Sequence, residues 1–564
     1  MEVHQEVIGD LPLIAQLIKS SGLVSCIDRH YPTHGNWHSP SIGNIVLGWL
    51  MYIISENDHR AYKVEDWAQA HLVTLRWALE NPELTSKTFQ DDRLANILER
   101  FSDKTLFNNM LCEHSGHLIR LYELPTQTAR VDSVNVPAYR EVEAGGLFQF
   151  GHRKAHQPNL PFMKMMLVSL DPLALPITSL IVDGKRSDEP LYIDAIKQAS
   201  QTLGCGILYV GDTKLCNMEN CAYIASTGNF YMSPLSRIQY SEQALRVSVL
   251  QALENKCSWQ PITRINAKTK ELEVFGQAYE LPQRQRCQPT TQFGWQERLI
   301  AVLDPVAQQS QQDSLAQRLK MAQLELLERF IPKKRRLIFT EEKQNEAKIF
   351  ANKILTKFKV TDFLDTSFVV SQNKKQGNLL YIKLGLKQQA IEDFNTLAGW
   401  RIYATNAPIE RLKTQDVLPC YRQEFLIEQQ FHKLLTKTTH LLPIFTKNEG
   451  RIDALVAIAS LALQFAATIQ YTARQELAKK KDKLADIVPG NKGRKVEKPT
   501  SEILLKRFSS VTAIWIKLPN QPMIAKLVNF DPVNHKILEL LKCHSDLYDN
   551  FINAFDYVKE LGSS

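Results

Sequence analysis

The stretch Thr128-Ala-Arg-Val-Asp132-Ser-Val134 decides the fold that this sequence predicts. It has the apolar character of a short buried strand with a carboxylate near its carboxyl end. A second apolar run, Ile207-Leu-Tyr-Val-Gly-Asp212, has the same form. Open α/β sheets bind ligands beyond the carboxyl ends of their strands, and carboxylate oxygens there suit Mg²⁺. The two runs therefore predict an acidic metal site at one edge of a sheet.

A third candidate acid, Glu428, lies in the predicted helix Tyr421-Arg-Gln-Glu-Phe-Leu-Ile-Glu428-Gln-Gln-Phe-His-Lys433. The core-facing stripe of this helix consists of Ile427, Phe431, Leu434 and Leu435. Glu428 lies at the rim of that stripe, from which its carboxylate can reach inward. The alternatives are a solvated helix acid here and ordinary turn or cap aspartates at the strands. Glu410 and Glu424 compete for the third position. The order strand acid, strand acid, helix acid favours one joint site.

Length and composition predict a multidomain globular protein. The 564 residues are expected to form two to four domains of about 150 residues each, and a hydrophobic content of 44% is typical of globular chains. The net charge of +8 is compatible with a nucleic-acid partner without establishing one. The most apolar runs, Ile45–Ile54 and Ala454–Ile469, are shorter than the ~20 residues that span a bilayer. With no signal-peptide pattern at the N-terminus, we expect a cytoplasmic protein without a membrane partner.

The nine cysteines do not follow the spacing of a disulfide framework or a zinc site. Cys205, Cys216 and Cys221 lie close together in the sequence, but no histidine stands near them at zinc-ligand spacing. We therefore expect reduced core or surface thiols.

The hydrophobic patterns divide the chain into four parts. Residues 1–120 predict an all-α N-terminal domain that binds DNA, and residues 125–475 predict an α/β domain with a mixed sheet covered by helices. A separate set of strands and long helices at about 240–400 predicts a domain inserted into it. Residues 476–500, which are basic and rich in Pro and Gly, predict an exposed linker, and residues 501–564 a small C-terminal module.

A basic turn, Gly151-His-Arg153-Lys154-Ala-His-Gln-Pro-Asn159, follows the first strand. Arg153 and Lys154 beside a metal site could contact phosphates, since arginine and lysine supply the sequence-independent part of DNA binding. The alternative is a solvated surface loop.

Together these motifs resemble the bacterial insertion-sequence transposases of the DDE type. Their catalytic domain is RNase-H-like, with a β-containing insertion before the final glutamate. The resemblance extends over essentially the whole chain. Its matching motifs are Asp132-Ser133-Val134, the turn from Gly151 to Asn159, Leu175-Pro176-Ile177, Gly184-Lys-Arg-Ser-Asp188, Gly211-Asp212-Thr-Lys-Leu-Cys-Asn217, and Tyr421 with Glu428.

The sequence departs from this family beside the final acid. The family has an arginine and a lysine there that contact the DNA backbone near the cut. Glu424 and Leu435 occupy those positions here, and Lys433 and Lys437 are possible substitutes. The departure leaves the three acids intact but puts the tight placement of a DNA end in question.

The resemblance implies an enzyme that cuts DNA at the ends of an insertion sequence and joins the 3′-OH ends to target DNA by two-metal phosphoryl transfer. It implies that Asp132, Asp212 and Glu428 hold two Mg²⁺ ions, for which Mn²⁺ can substitute. The implied DNA contacts are made by Arg153, Lys154, Tyr421 and Lys433. The implied partners are terminal inverted repeats and target DNA, bound by a homodimer at the bacterial nucleoid. Two alternatives stay open: a DNA-binding relative that has lost catalysis, and a nuclease on the same fold.

Overall fold

The computed structural model describes residues 1–33, 37, 40–151, 160–265, 271–330, 341–373, 377–444, 446 and 448–558. The chain forms two compact units. The first comprises Met1–Phe230 with Gln423–Ser564, and the second comprises Tyr231–Arg422. The α/β class predicted from the sequence is confirmed, because both units combine helices with strands.

The bounds of the elements follow in chain order. The strands are β1 (Glu2–Val7), β2 (Thr128–Pro137), β3 (Phe162–Leu170), β4 (Leu175–Asp183), β5 (Leu208–Gly211), β6 (Phe230–Pro234), β7 (Gln260–Ile265), β8 (Leu272–Glu280), β9 (Arg284–Cys287), β10 (Gly294–Leu303), β11 (Leu364–Asn373), β12 (Gly377–Leu386), β13 (Trp400–Thr405), β14 (Thr512–Lys517) and β15 (Ile524–Val528). The helices are α1 (Leu11–Ser20), α2 (Leu23–His30), α3 (Ile42–Glu56), α4 (Val64–Ala70), α5 (Leu72–Ala78), α6 (Asp91–Phe101), α7 (Lys104–Leu121), α8 (Glu189–Leu203), α9 (Met218–Ser226), α10 (Glu242–Glu254), α11 (Pro305–Phe330), α12 (Glu341–Phe358), α13 (Gln388–Leu397), α14 (Val417–Arg422), α15 (Phe425–His432), α16 (Glu449–Lys479), α17 (Ser501–Lys506), α18 (Pro532–Leu540) and α19 (Leu547–Ile552).

In the first unit, a mixed sheet carries strands in the order β4-β3-β2-β5. The β2, β3 and β4 strands form an antiparallel meander, whereas β5 runs parallel to β2. Every residue of β3 is buried, as expected where helices cover both faces of a sheet. Both α8 and α16 pack against this sheet. The mixed, helix-covered sheet predicted for the region after residue 125 is thus present.

The two ends of the chain meet in a second sheet, with the order β1-β14-β15. Here β1 pairs antiparallel with β14, and Val3 lies opposite Ile516. The prediction of an all-α domain over residues 1–120 is therefore wrong at its start. The signal for β1 was weak because Glu6 alone is fully buried on that strand. The residues of α17 to α19 share one apolar core with α1 to α7, so the C-terminal module is not a separate body.

The segment predicted as an exposed linker, residues 476–500, is packed onto the first unit. Helix α16 continues to Lys479, and Leu484 and Ile487 are buried in the main core. Several of the lysines form ion pairs, such as Lys480 with Glu539 at 2.6 Å. Leu477, Leu484 and Ile487 anchor the segment in this core, and its basic composition concealed them.

The second unit corresponds to the predicted insertion, with wider bounds than 240–400. Its strands follow the order β6-β13-β10-β8-β7, with β9 beside β10, and β11 pairs with β12. Helices α11 and α12 pack together over their own core. The sequence predicted β8, β10, α11 and α12 but not the β11–β12 hairpin.

Helix α16 is long and apolar enough, by length and composition, to cross a membrane. However, 94% of its apolar window is buried inside the fold. Helix α16 is therefore a core helix, as the sequence predicted for Ala454–Ile469.

Candidate active site

Asp132 and Asp212 occupy equivalent positions on two neighbouring parallel strands. The register of β2 and β5 places Val131 opposite Gly211, so the two aspartates are the next residues along each strand. Adjacent strands lie about 4.8 Å apart, which brings the two carboxylates to one place. The β2 strand continues to Pro137, so Asp132 lies where β5 ends rather than at the end of its own strand.

Local hydrogen bonds orient the two carboxylates. Asp132 Oδ1 accepts the backbone N–H of Ser133 at 2.7 Å. Asp212 Oδ1 accepts the hydroxyl of Tyr192 at 2.6 Å and the backbone N–H of Lys214 at 3.0 Å. Both aspartates are half-buried, so their side chains are restrained but still accessible from one side.

Tyr192 is a buried helix residue whose hydroxyl pKa is affected by the charges of both aspartates. Its side chain is fully buried on α8. Burial raises the pKa of its hydroxyl well above the usual range, and the negative charges of Asp212 and Asp132 raise it further. The hydroxyl therefore stays protonated and acts as a donor to Asp212. That electrostatic influence also shows that Asp132 and Asp212 lie near the same phenol.

Next to this pair, Asp188 lies buried at the start of α8 between two lysines. Its Oδ1 lies 2.9 Å from the Lys164 ammonium, and Oδ2 accepts a hydrogen bond from Lys214. Burial raises the pKa of Asp188, but hydrogen bonds from Lys214 and Lys164 outweigh it and hold the pKa below its usual range. Asp188 is therefore ionised at neutral pH and committed to the two ammonium groups.

The sequence did not single out Tyr192, Lys164 or Lys214 for this site. Lys214 lies two residues after Asp212, and Asp188 ends the turn matched to the family motif. These positions in the sequence could have indicated that Lys214 and Asp188 lie near the site. Tyr192 and Lys164 come from α8 and β3 and reach the site only once the helix packs on the sheet.

Glu428 lies on α15, which packs against β2. Ile427 and Phe431 are buried beneath this helix, whereas the Glu428 side chain is exposed. A π-helical turn, Lys433–Lys437, follows α15 directly. The structure thus sets Glu428 on the element adjoining the Asp132 strand, in the same unit as both aspartates. The competing acid Glu410 belongs to the second unit, and Glu424 precedes α15 in the first.

The four predicted DNA contacts have different surroundings. Arg153 and Lys154 lie outside the described residues. In the second unit, the ring of Tyr421 packs edge-on against Tyr403 and beneath Arg401. In the first unit, the ammonium of Lys433 lies 3.3 Å from Glu502 and is largely shielded from solvent. Its charge is thus directed to a protein carboxylate, and DNA contact by Lys433 stays a prediction.

Of the three neighbouring cysteines, two are core thiols. Cys216 and Cys221 are buried with their sulfur atoms 3.7 Å apart, whereas Cys205 is exposed.

The donor set fits hard divalent cations. Asp132 and Asp212 lie side by side through the backbone register, and their carboxylates are the oxygen ligands that Mg²⁺ and Mn²⁺ take in proteins. Glu428 lies on the adjoining helix α15, and in this structure the three carboxylates do not form a cluster with all ligand atoms within 4.8 Å of one another. The Tyr192 hydroxyl fixes the orientation of one of them, as partners behind metal ligands commonly do.

No family profile and no curated protein matches this sequence. Among solved structures, the chain is similar to piggyBac transposase in a cryo-EM synaptic complex with hairpin DNA. The identity is 9%, the alignment covers 97% of this chain and 85% of that chain, and the TM-score is 0.34. This is a distant structural likeness to a transposase, and the activity has to be inferred from the site itself.

Proposed function

We propose that this protein is a DDE-type transposase that cuts DNA at the ends of an insertion sequence and joins the 3′-OH ends to target DNA. The observation that supports it most is the parallel register of β2 and β5, which sets Asp132 beside Asp212. Two acids from separate runs, 80 positions apart in the sequence numbering, are brought together by the main fold.

Each residue would have a defined part in the reaction. Asp132 and Asp212 would hold two Mg²⁺ ions, with Glu428 completing the ligands from α15. When bound, the ions would polarise the scissile phosphate and activate the attacking oxygen. Tyr192 would keep the Asp212 carboxylate in its ligating orientation. Hydrolysis leaves a 3′-OH, whose attack on a target phosphodiester forms one ester bond as another breaks.

The test uses DNA that carries the coding region with its natural flanks. We expect Mg²⁺-dependent nicking at inverted repeats in those flanks, and joining of the 3′ ends to a plasmid. Asp132→Asn should lower cleavage by about 10³-fold, because charge stabilisation at the reacting phosphate is worth that much. Binding of the same DNA in EDTA should change little, since phosphate contacts come from other residues.

The exposed acid Glu410 provides the matched control. Glu410→Gln should cut and join as the wild type does. Cleavage by Asp132→Asn at the wild-type rate would refute the assignment, and cleavage without any joining would favour the nuclease.

The second candidate function is a DNA-binding relative that has lost catalysis. It is favoured by the side chains beside the final acid: Leu435 is buried, and Lys433 pairs with Glu502. Specific binding of the element ends by the wild-type protein, with no cutting in Mg²⁺ or Mn²⁺, would support this candidate over the transposase.

A further inference from the structure

A cavity of about 550 Å³ lies in the first unit, away from the candidate active site. It is bounded by the last part of α16, by the turn between β3 and β4, and by the segment 481–498. At that turn, the Asp171 N–H bonds to the carbonyl of Thr128, the first residue of β2. Asp132 lies four residues further along the strand, roughly 13 Å away. The volume is in the range that accommodates a small organic molecule.

The cavity has an apolar wall and a cationic rim. The wall includes Leu173, Ala467 and Leu477, all of which are buried. Tyr471 adds an aromatic ring to the same lining. An apolar or planar molecular body would therefore fit against α16.

Arg474 lines this cavity, and the positive charge of its guanidinium is only partly compensated. Its Nε donates to the carbonyl of Pro499 at 2.9 Å, and one terminal nitrogen reaches the carbonyl of Lys498 at 3.4 Å. Burial lowers the pKa of Arg474, and the charge of Glu502 opposes that shift. Within the described part of the chain, Arg474 forms no ion pair, because Glu502 pairs with Lys433 instead. A desolvated guanidinium with carbonyl partners keeps donors for an anion.

The rim reinforces the positive potential. Its two acids are already engaged, because Glu497 pairs with Lys483, and Asp482 pairs with Lys536. Lys481 and Lys498 lie at the same rim and are exposed. An anion entering the cavity would therefore meet uncancelled positive charge around the Arg474 guanidinium.

We propose that this cavity is a binding site for a small amphipathic anion. Its apolar or aromatic body would lie against Leu173 and Ala467, and its carboxylate, sulfonate or phosphate group would bind Arg474. The proposal does not depend on the transposase activity, since the site uses none of the candidate catalytic residues.

The experiment is a titration of the full chain with 8-anilinonaphthalene-1-sulfonate, whose naphthyl body and sulfonate match the two halves of the site. We expect saturable binding of one probe per chain. Arg474→Gln should weaken it about tenfold or more, since a charge-assisted bidentate contact is lost. The uncharged N-phenyl-1-naphthylamine should bind the wild type and Arg474→Gln equally. Displacement by 2-naphthoate or by 2-naphthyl phosphate then separates a carboxylate site from a phosphate site.

A second variant locates the binding and guards against a folding defect in Arg474→Gln. Ala478 lines the cavity from an exposed position on α16, so Ala478→Trp fills the space without disturbing the core. It should abolish saturable binding. Arg494→Gln, at an exposed arginine outside the lining, is the control and should bind as the wild type does. Absence of saturable binding, or full binding by Ala478→Trp, would overturn the proposal.

Discussion

The carboxylates on the strands of the two units are held in different ways. In the second unit, Glu280 on β8 receives two hydrogen bonds from Arg298, at 2.6 and 2.8 Å. Glu297 on β10 accepts from the Tyr231 hydroxyl at 2.5 Å and also from Arg284. Each of these acids lies within a sheet and is paired with an arginine of the same unit.

In the first unit, the hydrogen bonds described for Asp132 and Asp212 come from other donors, whereas Asp171, directly after β3, is paired with Arg130. Asp212 accepts a tyrosine hydroxyl and a backbone N–H, and Asp132 accepts the N–H of Ser133. A hydroxyl or backbone N–H orients a carboxylate without cancelling its charge, whereas an arginine does both. Whether an acid on a strand is a candidate metal ligand or a structural element therefore depends on its partners, which spacing alone does not show.

The largest expected difference is between a variant that loses cleavage, Asp212→Asn, and a variant that loses stability, Glu297→Gln. Asp212→Asn should lower Mg²⁺-dependent cleavage by about 10³-fold and change the free energy of unfolding by less than about 1 kcal/mol. Glu297→Gln should leave cleavage unchanged and lower the free energy of unfolding by about 3 kcal/mol. The reason is that Arg284, the cationic partner of this buried acid, loses its counter-charge. Cleavage assays and urea unfolding on both variants decide it. A stability loss in Asp212→Asn without one in Glu297→Gln would contradict these roles of the two acids.

The second prediction concerns Asp188, which lies beside the candidate site between Lys164 and Lys214. Asp188→Asn should destabilise the protein by about 3 kcal/mol at pH 7, because Lys164 is nearly buried and loses its counter-charge. The pair of Arg246 with Asp393 in the second unit is much more exposed. Asp393→Asn should therefore leave the urea midpoint almost unchanged. Equal shifts in the two variants would show that Asp188 acts as a surface acid.

Part of this arrangement follows from sequence alone. The runs around Asp132 and before Asp212 are apolar, so their strand character was predictable, but the continuation of β2 to Pro137, which leaves Asp132 within its strand, was not. The partners of the acids were not predictable either, because Tyr192 and Lys164 reach the site through the packing of α8 on the sheet. No local sequence pattern indicates a contact that forms through packing of this kind.

The pairing of β1 with β14 was hidden for a different reason. It joins residues at opposite ends of the chain, and β1 has too few buried positions to show a strand pattern. The packed segment around Leu484 was hidden because charge dominates its composition, while buried side chains fix its place.

The third prediction distinguishes the effect of low pH on a buried histidine from its effect on Asp188. His114 on α7 has no hydrogen-bond partner on either ring nitrogen among the residues described, and burial lowers its pKa to about 3. Because the folded pKa lies below the unfolded value, stability falls as pH drops below 6.5. The loss at pH 5 should be about 2 kcal/mol relative to pH 7. Urea unfolding of His114→Leu should lack this loss.

The exposed His544 gives the control, since His544→Gln should keep the wild-type pH dependence. Asp188 acts in a lower range. Its folded pKa is lowered, so its contribution is present above about pH 4 and is lost as pH falls through the folded pKa. A wild-type stability that stays flat from pH 7 to pH 5 would contradict the role of His114.

The smallest predicted effect is the most direct test of how the first unit holds its acids. Tyr192→Phe removes the hydroxyl that donates to Asp212 and leaves the ring in place. The Mg²⁺ concentration for half-maximal cleavage should rise about tenfold, as is usual when a residue that orients a ligand is lost. The rate at saturating Mg²⁺ should change less. Tyr209→Phe is the matched control, because this buried tyrosine on β5 bonds to Ser200 and not to the site. If both variants respond alike to Mg²⁺, the backbone N–H of Lys214 is enough to orient Asp212, and the hydroxyl serves packing alone.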